Sequence, residues 1–218
     1  MKKQLFFILM ATITTAMFFF FSGCKKDDDK KNGGNGGNTN ELVSGAFDGK
    51  VTATVESPDV INVTAILNAE IIDGALHGVG VGETTYANGG FSITLPEEIP
   101  EEYLESVTDF FEGIGGDIKY SQTSAKLAGV DFFGDDGEYY LGYYNYATSD
   151  QSNVCFFVYT NKDVTVTGGT NIAVSLKKGW NRMYYTENGD GALTTKAPNG
   201  LKWHYNSFQS SKKVMMKQ

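Results

Sequence analysis

Short runs of alternating apolar and polar residues, separated by glycine-rich turns, most constrain the fold of this chain. Over residues 41–205 turn signals recur about every eight to twelve residues, a spacing typical of β-sandwiches. Residues 50–56 and 60–67 alternate with a period of two and are rich in β-branched residues, which favours strands that bury one face. The 26 glycines and only 4 prolines suit tight turns. We therefore predict an all-β protein, an antiparallel β-sandwich of one or two β layers or subdomains.

One short helix is predicted near residues 100–112. Pro100 suits a first helical position, and Gly113 suits the position just past a helix end. Glu101 and Glu102 add acidic side chains to the first turn. We expect this helix to cover the open end of a sheet. Strands are predicted after it over residues 125–133, 138–147, 153–160, 163–167, 171–177, 180–186 and 201–205.

The N-terminal residues have the layout of a secretory signal. Lys2 and Lys3 precede an uncharged apolar run over residues 5–21, which is short for a spanning helix, since that needs about 20 apolar residues. The run ends in Phe21-Ser22-Gly23-Cys24, which resembles a bacterial lipobox in which Phe21 replaces the usual leucine. The resemblance implies cleavage before Cys24 and attachment of lipid to its thiol. Residues 1–23 are thus predicted to be a removable signal peptide, and a retained single-pass anchor is the alternative.

The stretch after Cys24 bears on where the protein is located. Residues 25–31 read Lys-Lys-Asp-Asp-Asp-Lys-Lys, which resembles the export signal of Bacteroidota lipoproteins displayed on the outer surface of the outer membrane. The resemblance implies an outer-membrane protein, lipid-anchored through Cys24 and facing the cell exterior. The alternative is a solvated charge run on a protein that faces the periplasm. Residues 32–40 contain only Asn, Gly and Thr, so residues 24–40 are predicted to be a lipidated cysteine and a flexible tether.

A second resemblance concerns the first strands. Asn88-Gly89 forms a hairpin turn signal before a strand that Pro96 stops. Residues 51–95 resemble the transthyretin-type, carboxypeptidase-regulatory-like β-sandwiches of outer-membrane proteins. The folded part is accordingly divided into an N-terminal β-sandwich part (41–98), a helix and connector (99–117), a C-terminal β part (118–205) and a polar tail (206–218).

Charge and motifs narrow the function classes. The formal net charge of −8 disfavours nucleic acid as a partner, because an acidic surface repels phosphates. Asp131, Asp135, Asp136 and Glu138 are close in sequence, as are Asn188 and Asp190, but neither group has the spacing of an EF-hand loop. We expect no cofactor, with calcium as a minor alternative. There is no nucleophile elbow and no histidine pair at zinc spacing. Cys155, in an apolar run, is expected to be a buried structural thiol.

The tyrosine-rich run over residues 138–146 is the feature least like a plain core strand. Strict alternation places Tyr140, Tyr144 and Tyr146 on one face and Tyr139, Leu141 and Tyr143 on the other. One face is expected to enter the core, and the other could present flat rings to a sugar, together with Trp180 and Trp203. We predict Tyr140, Tyr144, Tyr146, Trp180 and Trp203 as ligand-binding residues. The alternative is that these tyrosines suit a half-buried strand, with the ring buried and the hydroxyl solvated.

These patterns favour a non-catalytic surface lipoprotein that binds a glycan, a peptide or a protein of the envelope. The first alternative is a structural or adhesive envelope component without a small ligand. The second is a hydrolase, since acids distant in sequence can converge in space. A hydrolase would require a deep pocket that holds an acid of raised pKa.

Overall fold

The alternating runs of the sequence are β-strands in the computed structural model, which describes residues 42–73, 75–114, 117–169, 171–187 and 191–212, and only the backbone of residues 209–212. They belong to one compact unit, Leu42–Gln218. The predicted signal peptide, Cys24 and the tether of residues 24–40 lie outside the described residues. In the described part of the chain, no helix has the length and apolar content to cross a lipid bilayer.

The all-β fold is confirmed. The strands are β1 Lys50–Thr54, β2 Asn62–Ile72, β3 Ala75–Thr85, β4 Gly90–Thr94, β5 Glu105–Ser106, β6 Ile118–Tyr120, β7 Lys126–Asp135, β8 Tyr139–Ala147, β9 Asn153–Thr160, β10 Val164–Gly168, β11 Ile172–Leu176, β12 Gly179–Thr186, β13 Ala192–Thr194 and β14 Lys202–Lys212. Strand β14 thus continues beyond the range predicted for the last strand.

One short helix, α1 (Val107–Phe110), lies in the predicted helical span but covers only four residues. A 3₁₀ turn, Glu101–Tyr103, and strand β5 take up most of the preceding span. The helix begins at Ser106, whose hydroxyl accepts a hydrogen bond from the Asp109 backbone N–H at 3.1 Å. The helix thus starts later than the signal at Pro100 predicts. Residues 105 and 106 are extended because they pair with β7 as strand β5, and the cap at Ser106 follows them.

The strands form two sheets in a sandwich-like arrangement. Strands β1 and β4 pair as a small antiparallel sheet, from Lys50 opposite Thr94 to Thr54 opposite Gly90. The large sheet follows the order β3-β2-β7-β8-β9-β12-β13-β11-β10-β6, and β14 pairs with β8. Pairing is antiparallel except between β11 and β13, which are parallel.

Strand β7 is where the large sheet divides. Its first half pairs with β9, from Leu127 opposite Thr160 to Val130 opposite Phe157. Its second half pairs with β8, beginning with Phe132 opposite Tyr144. Strands β5 and β2 occupy its other edge. Both edges of β7 are therefore hydrogen-bonded, and β7 separates much of β8 from β9.

Buried side chains form two clusters, and the same strands contribute to both. On β9, Phe157 and Tyr159 belong to the first cluster and Val158 between them belongs to the second. On β12, Tyr184 belongs to the first and Met183 to the second. Since successive strand residues point to opposite faces, the clusters lie on the two faces of one shared sheet. The small sheet of β1 and β4 packs on the first cluster.

The segment of residues 42–48 completes an edge of β12. Strand β13 pairs only with the last three residues of β12, so the first half of β12 is open to another partner. The Phe47 N–H donates to the Trp180 carbonyl at 3.0 Å, and the Arg182 N–H donates to the Gly45 carbonyl at 2.7 Å. Gly45 is required here, because a Cβ would lie 2.5 Å from the Arg182 carbonyl oxygen. This pairing brings Phe47 to the first cluster.

The shared sheet predicts cooperative unfolding. Leu127 is fully buried in the second cluster, and Leu127→Ala should reduce the free energy of unfolding by about 3 kcal/mol, the usual cost of a core cavity. Both tryptophans report the first cluster, since Trp180 lies in it and Trp203 packs against it. We expect the transition followed by tryptophan fluorescence to shift together with that followed by far-UV circular dichroism. The exposed Lys119 on β6 supplies a control, because Lys119→Ala should shift neither transition. If Leu127→Ala does not move the fluorescence midpoint, the two clusters unfold separately.

Candidate functional site

Three of the five aromatic residues predicted to bind a ligand are buried. Tyr140, Tyr144 and Trp180 are 1%, 4% and 5% exposed. Tyr146 and Trp203 are partly exposed. The first three rings are therefore covered by other side chains in this structure, and Tyr146 and Trp203 are the predicted residues that reach solvent.

A β-bulge explains why alternation misplaces Tyr140. The pairing of β8 with β7 passes from Gly142 opposite Gly134 to Tyr140 opposite Asp135, so Leu141 is an extra residue. Tyr140 consequently packs on Phe133, with ring centroids 5.8 Å apart, and burial raises its pKa to about 12. Leu141 packs against the first cluster instead. A period-two pattern cannot reveal such a bulge.

Tyr144 and Trp180 have structural partners within the first cluster. The Tyr144 ring meets Phe91 of β4 edge to face at 4.9 Å. The Trp180 Nε1 donates to the Pro96 carbonyl at 2.7 Å, and its ring meets Tyr159 at 5.4 Å. Both rings thus hold the small sheet and its exit loop against the large sheet.

Tyr146 and Trp203 form a pair that reaches solvent. They lie opposite each other on β8 and β14, with ring centroids 5.2 Å apart. Trp203 is held on two sides: its Nε1 donates to the Thr52 carbonyl at 3.0 Å, and its ring stacks on Phe157 at 5.8 Å and 7°. The pair is therefore a fixed, partly exposed aromatic surface.

Arg182, the only arginine of the chain, extends this surface. It lies opposite Phe157 on neighbouring strands, and its guanidinium carbon is 4.6 Å from the ring centroid of Phe47 and 5.9 Å from that of Phe157. Phe157 is itself buried, at 5% exposure, and it supports both Arg182 and Trp203 from beneath. We name Phe47, Tyr146, Phe157, Arg182 and Trp203 the aromatic–arginine cluster.

The guanidinium of Arg182 has no partner of opposite charge. No carboxylate of the described residues lies within 4.0 Å of it, and its Nε is buried without a hydrogen-bond acceptor. The nearby thiol of Cys155 is buried as predicted, and burial raises its pKa to about 12. Burial also raises the pKa of Tyr184 to about 12. Both neighbours are neutral at physiological pH, so they leave the positive charge uncompensated.

The acidic residues near the β7–β8 turn hold that turn. The Asp135 Oδ1 accepts from the Gly137 N–H at 2.8 Å, and its Oδ2 accepts from the Thr64 hydroxyl at 3.3 Å. The Asp136 Oδ1 accepts from the Tyr139 N–H at 2.8 Å. Within the described ranges, no group of three or more His, Cys, Asp or Glu residues could hold a metal ion. The second acidic turn, Asn188 to Asp190, lies outside them.

Asp131 differs from these acids. Its neighbours on β7, Val130 and Phe132, belong to the first cluster, so Asp131 points to the opposite face. Burial raises the pKa of its carboxyl to about 6, and no hydrogen bond from the described residues offsets this effect. Burial and, to a smaller extent, the Asp131 charge raise the pKa of Tyr143. A raised pKa is one of the two features expected of a hydrolase acid, the other being a deep pocket, and Asp131 is partly exposed.

The raised pKa of Asp131 predicts a pH-dependent stability. Because the folded pKa exceeds the unfolded value of 3.8, ionised Asp131 destabilises the fold above about pH 6, and the penalty disappears as the pH falls below the unfolded pKa. Asp131→Asn should therefore raise the free energy of unfolding by about 2 kcal/mol at pH 8 and have little effect at pH 3. Denaturant unfolding at the two pH values measures both differences.

Asp150 provides the matched control of opposite sign. Hydrogen bonds from Thr148 and Ser152 lower the pKa of its carboxyl to about 2, so its charged form is favoured in the fold. Asp150→Asn should destabilise the protein at pH 8. A destabilising Asp131→Asn at pH 8 would contradict the assignment of Asp131 as an uncompensated carboxyl.

Comparison with known proteins yields no relative. No family model matches the sequence, and neither a curated protein nor a solved structure matches the chain. The function is therefore inferred from the residues themselves.

Proposed function

We propose that this protein is a non-catalytic binding lipoprotein of the cell envelope, and that the partly exposed residues of the aromatic–arginine cluster contact a glycan. The observation that carries the proposal is the Tyr146–Trp203 pair, which is fixed by β-pairing, stacking and a hydrogen bond and still partly exposed. Aromatic rings offer apolar surface to the C–H groups of a sugar, and their polar edges can bind hydroxyls.

Rigidity supports a binding role over a purely structural one. A side chain that is ordered before a ligand arrives loses little conformational entropy on binding. Trp203 is already fixed by Thr52 and Phe157, and the Tyr146 ring packs on that of Trp203 at 5.2 Å. A structural or adhesive envelope component without a small ligand, the first alternative, would need no such fixed rings at the surface.

Asp131 is the observation that favours the second alternative, a hydrolase. A carboxyl with a pKa of about 6 can donate a proton near neutral pH. Glycoside hydrolysis also needs a second carboxylate about 5 to 10 Å away. The next acids along the chain, Asp135 and Asp136, accept the hydrogen bonds of the β7–β8 turn. We therefore keep binding as the proposed function.

Binding to the ring pair is testable with single substitutions. Tyr146→Ala should weaken the affinity for a glycan found on an array by about tenfold, or about 1.4 kcal/mol, because one ring of the partly exposed pair is removed. Tyr146→Phe should keep most of the affinity, since the ring remains. Isothermal titration calorimetry of the full, detergent-solubilised chain measures both.

Tyr185 supplies a matched control for this experiment. It is a partly exposed tyrosine that packs on the second cluster, on the opposite face of the sheet. Tyr185→Ala should leave the affinity unchanged. Equal losses from Tyr146→Ala and Tyr185→Ala would refute the ring pair as the binding surface, and release of a product that Asp131→Asn abolishes would favour the hydrolase.

The envelope location rests on the predicted lipidation of Cys24. Cys24→Ala should abolish incorporation of labelled palmitate and release the protein from the membrane fraction, because acyl chains supply the membrane affinity. Intact cells that express the wild-type chain should lose it to added protease if it faces the exterior. Protection from the protease with lipid attached would contradict the surface location and favour the periplasmic face.

A further inference from the structure

The guanidinium of Arg182 needs an acceptor that the described protein does not supply. A guanidinium carries five N–H donors, and in the described residues none of them donates to a side chain or a carbonyl. The buried Nε is without a partner, which is costly in a folded protein. A group outside the described chain therefore has donors to bind.

The position of the guanidinium is nevertheless fixed. It lies 4.6 Å from the ring centroid of Phe47, a distance typical of a cation–π contact. Phe47 is in turn held by its backbone hydrogen bond to Trp180 at 3.0 Å, and its ring meets Phe157 at 5.7 Å. Arg182 remains partly exposed. Its planar group is therefore oriented before a ligand binds, which suits the paired oxygens of an oxyanion.

The charge pattern points to an anion. The chain carries a formal net charge of −8, so most of its surface repels anions. Arg182 is an exception, because Cys155 and Tyr184 beside it are neutral and no carboxylate of the described residues pairs with it. Arg182 also shares Phe157 with Trp203. A ligand with both a sugar ring and an oxyanion could contact the ring pair and the guanidinium together.

We propose that Arg182 binds an oxyanion on the ligand, so that the protein selects glycans that carry carboxylate or sulfate groups. This inference rests on the proposed glycan-binding function and narrows its ligand class. Arg182 acts as a specificity residue, and the aromatic rings supply contact to the sugar.

The single arginine permits a direct test on the unaltered protein. Phenylglyoxal modifies guanidinium groups, so peptide mass spectrometry of the treated full chain reports Arg182 alone. We expect polygalacturonate to slow the modification and fully methyl-esterified polygalacturonate, which has the same rings without charge, to give little protection. Equal protection by both polymers would overturn the anion proposal and leave the glycan proposal standing. Protection by neither, with no binding of either in calorimetry, would overturn both.

Substitutions separate the charge from the packing. Arg182→Met keeps an apolar side chain near Phe47 and should lower the affinity for polygalacturonate about tenfold more than it lowers the affinity for the methyl ester. Arg182→Lys keeps the charge without the planar group and should recover only part of the affinity. Thermal unfolding of each variant shows whether it is folded, and the labelling experiment does not depend on either. Unchanged selectivity in a folded Arg182→Met protein would overturn the proposal.

Protection experiments with dextran sulfate and neutral dextran show whether the oxyanion that Arg182 binds can be a sulfate as well as a carboxylate. Protection of Arg182 by dextran sulfate, but not by dextran, would support recognition of oxyanions in general. Protection by polygalacturonate alone would support recognition of carboxylates. In both cases the affinity should fall as salt is added, because the contact is electrostatic. An affinity for polygalacturonate that does not change with salt would contradict a charged contact.

Discussion

The double pairing of β7 is the constraint on which the rest of the structure depends. Strand β7 bonds to β5 and β2 along one edge and to β9 and β8 along the other. Its residues also alternate between the two clusters, with Leu127 in one and Ala128 in the other. Such a strand has no free edge, so its register fixes those of its neighbours. The position of Tyr146, just beyond the point where β8 leaves β7, follows from this arrangement.

A second constraint is the edge of β12 that residues 42–48 complete. Without them the first half of β12 would be an open edge, which soluble proteins avoid. The same residues place Phe47 against Arg182. In the proposed lipoprotein, the tether of residues 24–40 leads into this segment after one further residue. The cluster that we assign to ligand binding is therefore built partly from the residues that join the folded unit to its proposed anchor.

Much of the fold follows from the sequence pattern, and the exceptions have identifiable causes. The run predicted for β9 has the observed bounds, and those for β8 and β12 differ by one residue at one end, because β-branched and aromatic runs bounded by turn residues are a local signal. The helix is shorter than predicted because pairing of β5 with β7, a contact between distant residues, outweighs the start signal at Pro100. The faces of β8 depend on a bulge at Leu141 that has no local signature.

The candidate site was only partly accessible from the sequence for the same reason. Tyr146 and Trp203 could be proposed as aromatic residues on strands, but their exposure, and the burial of Tyr140, Tyr144 and Trp180, depend on which sheet covers which face. Arg182 belongs to no motif, and the sequence pattern selects only Trp180 in its strand as a ligand-binding residue. Its one sequence signal is that it is the only arginine in an acidic chain. That signal points to a site only when the structure shows Arg182 beside aromatic rings and without a carboxylate partner among the described residues.

Two charges on opposite faces of the large sheet distinguish this protein from a sandwich selected for stability alone. Arg182 has no carboxylate partner among the described residues, and Asp131 has no hydrogen bond there to offset its burial. The sheet between them prevents the two from pairing. Each lowers stability where an apolar residue would raise it, and costs of this kind concentrate at functional sites. Arg182 lies near the fixed, partly exposed pair of Tyr146 and Trp203, and this combination of an unpaired cation with rings favours recognition of an acidic glycan over catalysis.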